Sequence, residues 1–137
     1  MTSKSLDIIN IHGIRENCQI SFTSEEPWLI TFNSLTIDAQ KFTGNDLFEC
    51  LRGLRQYLEL QGSLLLCNGA RIDIYPSGIS RETTGGRKAY ILTIGQRTSK
   101  SDLVDIFDQT ESTRIGSVRD QEIYYQGWLK SLGIYDI

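Results

Sequence analysis

The sequence predicts an α+β domain, a mainly antiparallel sheet with one long and two shorter helices packed on it. Three observations carry that expectation. Apolar and polar residues alternate through most of the first forty residues, the mark of strands with one buried and one wet face. The period then changes at Leu47 to that of an amphipathic helix. A Ser/Thr-x-x-Asp helix-start device also occurs at Thr43, Ser99 and Ser117. The chain of 137 residues has the size of a single globular domain spanning 1–137, large enough to bury its own core.

From the N-terminus onward, "DIINI" is short and β-branched. "CQISF" places Cys18, Ile20 and Phe22 on one side, "WLITF" does the same with Trp28, Ile30 and Phe32, and "LTIDA" aligns Leu35, Ile37 and Ala39. The short spacers suit hairpins. Leu47, Leu51, Leu54 and Leu58 then form a helical stripe, predicting a helix over about 44–61 that Gly62 ends. "SLLLC" reads as a strand covered on both faces, Asn68-Gly69 as a hairpin turn, "RIDIY" and "KAYILTI" as the strands beyond it. "SKSD" at 99–102 is expected to open a helix carrying Leu103, Val104, Ile106 and Phe107. "SVRD" at 117–120 is expected to open the last one, with Tyr124, Tyr125, Trp128, Leu129 and Leu132 as its apolar stripe and Gly133 as its end.

Composition narrows the function. Fourteen basic against seventeen acidic residues give a net charge of −3, whereas a duplex-binding module carries a basic excess to neutralise phosphates. Direct nucleic-acid binding is therefore not expected. Cys18, Cys50 and Cys67 are odd in number and form no C-x-x-C, and two of them sit in apolar runs where free cysteine acts as a small hydrophobe. That usage suits a reduced, cytoplasmic protein. The N-terminus has no signal-peptide core, and no apolar run is long enough to span a membrane. His12 is the only histidine; a Ser–His–Asp triad would have to use it, and it reads as a strand-end or turn residue, while one histidine and three scattered cysteines give no recognisable zinc ligand spacing. No catalytic residue, metal or cofactor is expected.

Two constellations remain. Residues 76–87 read as a long polar loop bearing Arg81, Glu82 and Arg87, and loops of that length are often functional. "TTGGRK" fails as a phosphate cradle, because Lys88 is followed by alanine and a strand; its glycines read as a hinge. In "DLVDIFDQTE", Asp102, Asp105, Asp108 and Glu111 recur every third residue. On a helix they form an acidic strip, with Asp102 as a cap and the others as a solvated face or a patch that steers a basic partner.

In size, charge and layout, from the Asn68–Tyr90 hairpin to the acidic strip, the chain resembles the small cytosolic immunity proteins of bacterial toxin systems, including those paired with contact-dependent growth-inhibition toxins. The resemblance implies tight binding to one toxin domain, often a nuclease, with acidic residues set against its basic substrate cleft. It makes Asp105, Asp108 and Glu111 steering charges and Arg81, Glu82 and Arg87 loop contacts. A second reading stays open: Arg71, Asp73 and Tyr75, with Ser80, Arg81 and Arg87, would line an anion pocket under the 76–87 loop of a small-ligand binder or enzyme. Convergence of these side chains into one concavity would favour that reading.

Overall fold

The computed structural model describes residues 1–134. Strands β1 (Thr2–Ile9), β2 (Arg15–Phe22), β3 (Leu29–Ser34) and β4 (Gln40–Thr43) form an antiparallel meander, and β5 (Leu64–Leu65) joins the free side of β1, giving the order β4-β3-β2-β1-β5. The register places Leu6 opposite Cys18, Ile20 opposite Phe32, and Ile30 opposite Phe42. Directly opposed residues share a face, so the alternating apolar positions of the sequence become one continuous buried surface. Helix α1 (Leu47–Leu60) covers it, with Leu47, Phe48, Cys50, Leu51, Leu54 and Leu58 fully buried. Each such side chain contributes roughly 1.5–3 kcal/mol. The opposite face carries Ser3, Ser5, Asn17, Gln19, Ser21 and Asn33, several bonded to one another: Ser3 to Ser21 at 2.8 Å and the Asn17 amide to Ser5 Oγ at 2.7 Å.

A smaller sheet completes the molecule. Strands β6 (Ile74–Tyr75), β7 (Lys88–Ile91) and β8 (Leu103–Asp105) lie in the order β6-β7-β8, again antiparallel. Ile74 and Ala89 turn into the same core as the large sheet. Helix α2 (Gly78–Thr84) connects β6 to β7, and α3 (Val118–Ser131) packs over β6. The α+β class and the mainly antiparallel pairing are as the sequence predicts; α1 and α3 run fourteen residues each and α2 seven. Among the described residues no helix is long and apolar enough to cross a membrane.

Five local expectations fail. The strand expected at 35–39 begins only at Gln40, because polar side chains capture the turn: Ile37 N–H donates to Ser34 Oγ, and Thr36 N–H and Oγ–H both donate to the Glu16 carboxylate. Leu35 is left 98% exposed and only Ile37 of the expected apolar row reaches the core. Asn68-Gly69 makes a 3-10 turn over Asn68–Ala70 rather than a hairpin. Gly69 lies so close under Leu51 and Ile106 that a Cβ there would sit 2.4 Å from Leu51 Cδ2.

Residues 76–87 are not a loop. Ser77 caps α2 by accepting the Ser80 N–H, and Gly85 ends it in the left-handed region at φ 65°. Gly85 and Gly86 are buried against Trp28 and Phe48, which rules out both a hinge and a phosphate cradle. The helix expected after Ser99 is also absent. The Ser99–Asp102 capping box forms, yet it closes a single 3-10 turn, and Leu103–Asp105 then pairs with β7. Pairing there gives β7 a partner on its open side, and it buries Ile106 and Phe107, the latter stacked on Phe22 at 4.0 Å. At the first device the cap is displaced: Asp46, not Thr43, caps α1 by accepting the Glu49 N–H. Only Ser117–Asp120 works as expected, opening α3.

Candidate functional site

The candidate site lies where α3 crosses the small sheet. The register puts Tyr75, Tyr90 and Leu103 in one row across β6, β7 and β8, hence on one face. Exposure grows along that row, from Tyr75 at 8% to Leu103 at 40%. Helix α3 covers only its inner end. Tyr125 stacks on Tyr75 with ring centroids 3.8 Å apart and planes 4° apart, and Trp128, one turn further on, lies 6.3 Å from Tyr125. The spacing of three residues on a helix sets both rings on one side.

Between these rings lies a cavity of about 170 Å³, lined by Tyr75, Tyr90, Tyr125 and Trp128 with Pro76, Leu92 and Thr98 among its other walls. Thr98 belongs to the segment 93–99, which is strapped to α3: Trp128 Nε1–H donates to the Gln96 carbonyl at 2.9 Å, and Gly95 N–H to Ser131 Oγ at 2.8 Å. Tyr124 Oη–H donates to the Leu92 carbonyl at 2.9 Å.

Behind Tyr75 stands a charged layer. Its hydroxyl donates to Glu122 at 2.8 Å and accepts from Arg52 at 3.1 Å; burial, then the Glu122 bond, raises its pKa. Arg81 lies over the Phe48 ring at 5.0 Å and near the Tyr75 ring at 5.7 Å, while its guanidinium pairs with Asp46 at 2.8 Å. Deeper still, Arg55 is 3% exposed and has no carboxylate within salt-bridge distance among the described residues. It donates to Gln121 Oε1 at 2.6 Å and to the carbonyls of Gly69 and Gly116 at 3.2 and 3.0 Å. Burial pulls its pKa down to about 10, still far above neutrality. Gln121 returns its amide to the carbonyls of Gly69, Arg71 and Ile74, each at 2.9 Å. This pair ties α1 and α3 to the irregular backbone beneath the small sheet, where no ladder exists to satisfy those oxygens.

The residues singled out in the sequence do not come together. Arg71 closes on Asp73 at 2.8 and 2.9 Å, with Arg114 at 3.6 Å from the same carboxylate. Arg87 pairs with Asp105 at 3.0 Å. With Arg81 held by Asp46, each arginine of the expected anion pocket faces a carboxylate of its own, and none lines the cavity. Of the trio Arg71, Asp73 and Tyr75, only Tyr75 belongs to the site.

The acidic strip dissolves as well. Asp105 is 8% exposed, bound to Arg87 and accepting the Phe107 N–H at 2.9 Å; it organises the end of β8 and steers nothing. Asp108 and Glu111 do face solvent, at 54% and 82% side-chain exposure, beside Lys4 at 2.6 Å and Arg15 at 3.9 Å. Glu82 is exposed on α2.

The nucleophile inventory is equally plain. Burial pushes the Cys18 thiol up to about 12 and those of Cys50 and Cys67 up to about 11, so all are protonated and inert near neutrality. Cys18 lies on β2 and Cys67 at an isolated bridge to Gln109, and all three cysteines are free. No metal-ligating cluster of His, Cys, Asp and Glu occurs among the described residues.

Tyr90, Trp128 and Tyr125 carry the site, yet in sequence the last two read as core. The usable signal was chemical: α3 draws its apolar face from Tyr124, Tyr125 and Trp128, side chains with a polar end that suit a half-wet surface. Neither a family model nor a curated protein matches the sequence.

Proposed function

We propose that this chain is a non-catalytic protein-binding module and that its partner is a toxin domain which it neutralises, in the manner of an immunity protein. The observation that carries the reading is the half-exposed cluster of Tyr90, Tyr125 and Trp128 around a cavity of about 170 Å³, with the half-exposed Arg52 and Arg81 in the layer behind Tyr75. Tyr, Trp and Arg are the side chains that dominate binding energy at protein interfaces. The cavity is smaller than the roughly 300–1,000 Å³ of a typical cofactor or metabolite site. The paired arginines support the same reading, since a guanidinium already bonded to a carboxylate is poorly placed to receive a phosphate.

On this reading the aromatic face supplies affinity. Asp108, bonded to Lys4 at the surface, and Glu111, 3.9 Å from Arg15, are both exposed and supply the long-range attraction that draws in a basic partner. The toxin identity of the partner rests on the resemblance of type and on the net negative charge.

The test compares the wild-type chain with the double variant Tyr125→Ala/Trp128→Ala, both immobilised, in extracts of the native cell. The expected result is a partner retained in stoichiometric amount by the wild type and lost from the variant, whose expression arrests growth unless this chain is co-expressed. Equal retention by both forms, or turnover of a substrate by the purified chain, overturns the reading.

A further inference from the structure

The geometry points to what enters the cavity: we infer that it receives one aromatic ring, the side chain of a Phe, Tyr or Trp presented by the partner. The inference deepens the reading above and rests on it for the source of the ring. Size is the first argument. A cavity of roughly 150 Å³ in another protein stays dry and takes up benzene, and this one measures about 170 Å³.

Ring orientation is the second. Tyr75 and Tyr125 are stacked face to face at 3.8 Å, and both line the cavity. Two rings whose faces cover each other present their edges to a space that touches both. Ring edges carry the positive end of the quadrupole, so they attract the face of a third ring and disfavour a cation. Charge is the third argument. The Arg81 guanidinium already lies 5.7 Å from the Tyr75 ring, and no carboxylate lines the cavity to offset a second positive group. The charge balance thereby favours a neutral ring over a lysine or arginine side chain. Leu92 and Pro76 supply apolar walls, and Ser77 and Thr98 offer hydroxyls that a tyrosine or indole donor can reach at the rim.

The experiment uses the full chain and small probes, so it needs no partner. p-Cresol, indole and N-acetyl-phenylalanine amide, as neutral ring probes, and n-butylamine, as the lysine analogue, are titrated while NMR shifts of Trp128 Nε1–H and of the Tyr90 and Thr98 amides are followed. The expected result is saturable shifts at these three positions with the ring probes and none with butylamine. Thr98→Phe, which adds a ring at the cavity wall, is expected to weaken probe binding at least tenfold while the β1–β3 amide pattern stays unchanged. Should Thr98→Phe lose that pattern, Leu92→Phe, a one-ring enlargement of another wall, serves as the second variant with the same expectation.

Tighter binding of the capped phenylalanine than of free p-cresol marks a peptide as the source of the ring; the reverse order marks a free small aromatic and overturns the partner assignment. Butylamine binding as well as the rings, no saturable shift at all, or undiminished binding in the filled variants overturns the inference. Saturable probe binding, combined with equal retention by wild type and variant in the extract experiment above, sinks the protein-binding reading alone. A partner captured by a cavity that takes no ring sinks only the inference.

Discussion

The two sheets are built on different principles, and the contrast explains where function sits. The five-stranded sheet has strands of up to eight residues, an alternating pattern that is buried on one face, and a leucine-striped helix across it. Its stability comes from apolar area removed from water. The three-stranded sheet has strands of two to four residues, too short for a ladder to hold them. Side chains take the place of the ladder. Gln121 and Arg55 bind carbonyls under β6, Ser80 Oγ–H donates to the Lys88 carbonyl, and Asp105 accepts the Phe107 N–H. A region held by polar clasps leaves its aromatic rings free to stay half exposed. The candidate site is on that region.

The comparison can be broken at either half. Gln121→Leu strips Arg55 of its closest partner and takes away the amide that serves the carbonyls of Gly69, Arg71 and Ile74; losing buried hydrogen bonds to a charged group costs about 3 kcal/mol. Amide exchange in β6–β8 should accelerate more than in β1–β3. Equal acceleration in both sheets would mean that the molecule has no polar-clasped half. Leu54→Ala acts on the other principle and should cost about 2–5 kcal/mol by emptying a fully buried site of the helix stripe, read as a fall in the urea midpoint with the slope unchanged.

Alkali should weaken the apolar half next. The thiols of Cys18, Cys50 and Cys67 have pKa values raised by burial to about 11–12 in the folded chain, against about 8.5 when unfolded. Both states are protonated below the unfolded value, so the contribution is intact there. As pH rises past it the unfolded chain releases protons that the folded chain retains, and stability falls. By pH 10 the loss should be on the order of 1 kcal/mol per thiol. Arg55, whose pKa is lowered to about 10, works in the opposite sense as one group against three. Denaturation curves at pH 8 and pH 10 check the balance, and a thiol reagent should find no reactive cysteine at pH 8 until denaturant is added.

The smallest pair of effects separates two aspartates that look alike in sequence. Asp105→Asn should cost about 1–3 kcal/mol, since it removes a buried acceptor bonded to Arg87. Asp108→Asn should fall within about 0.5 kcal/mol, its exposed bond to Lys4 being a surface pair.

That same contrast governs how much could be read from the sequence. The large sheet and α1 were legible because burial writes a period into the chain: Cys18, Ile20 and Phe22 alternate, and Leu47, Leu51, Leu54 and Leu58 recur at helical spacing. The small sheet left a fainter trace: β6 and β7 fall inside "RIDIY" and "KAYILTI", which read as strands, whereas β8 lies where a helix is expected. Two-residue strands have no period. A Ser-x-x-Asp box starts a helix at Ser117 but a single turn at Ser99, where the next residues, Leu103–Asp105, lie beside the open edge of β7. The acidic spacing of Asp105, Asp108 and Glu111 had meaning only on a helix, and β8 removed it. Tyr75 was legible as a site residue through its place among charges; Tyr90 and Trp128 were not, because an aromatic side chain looks the same in a core and at its rim. Tyr135 and Ile137, past Gly133, lie outside the described residues.

The central claim, a partner gripped by the aromatic face of the small sheet, is tested most directly by hydrogen exchange of the chain alone and with its partner bound. The account predicts new protection at residues 90–98 and 122–131, with the serine- and asparagine-bearing face of β1–β3 unchanged. Protection confined to that polar face, or no change along α3 and β7, contradicts it.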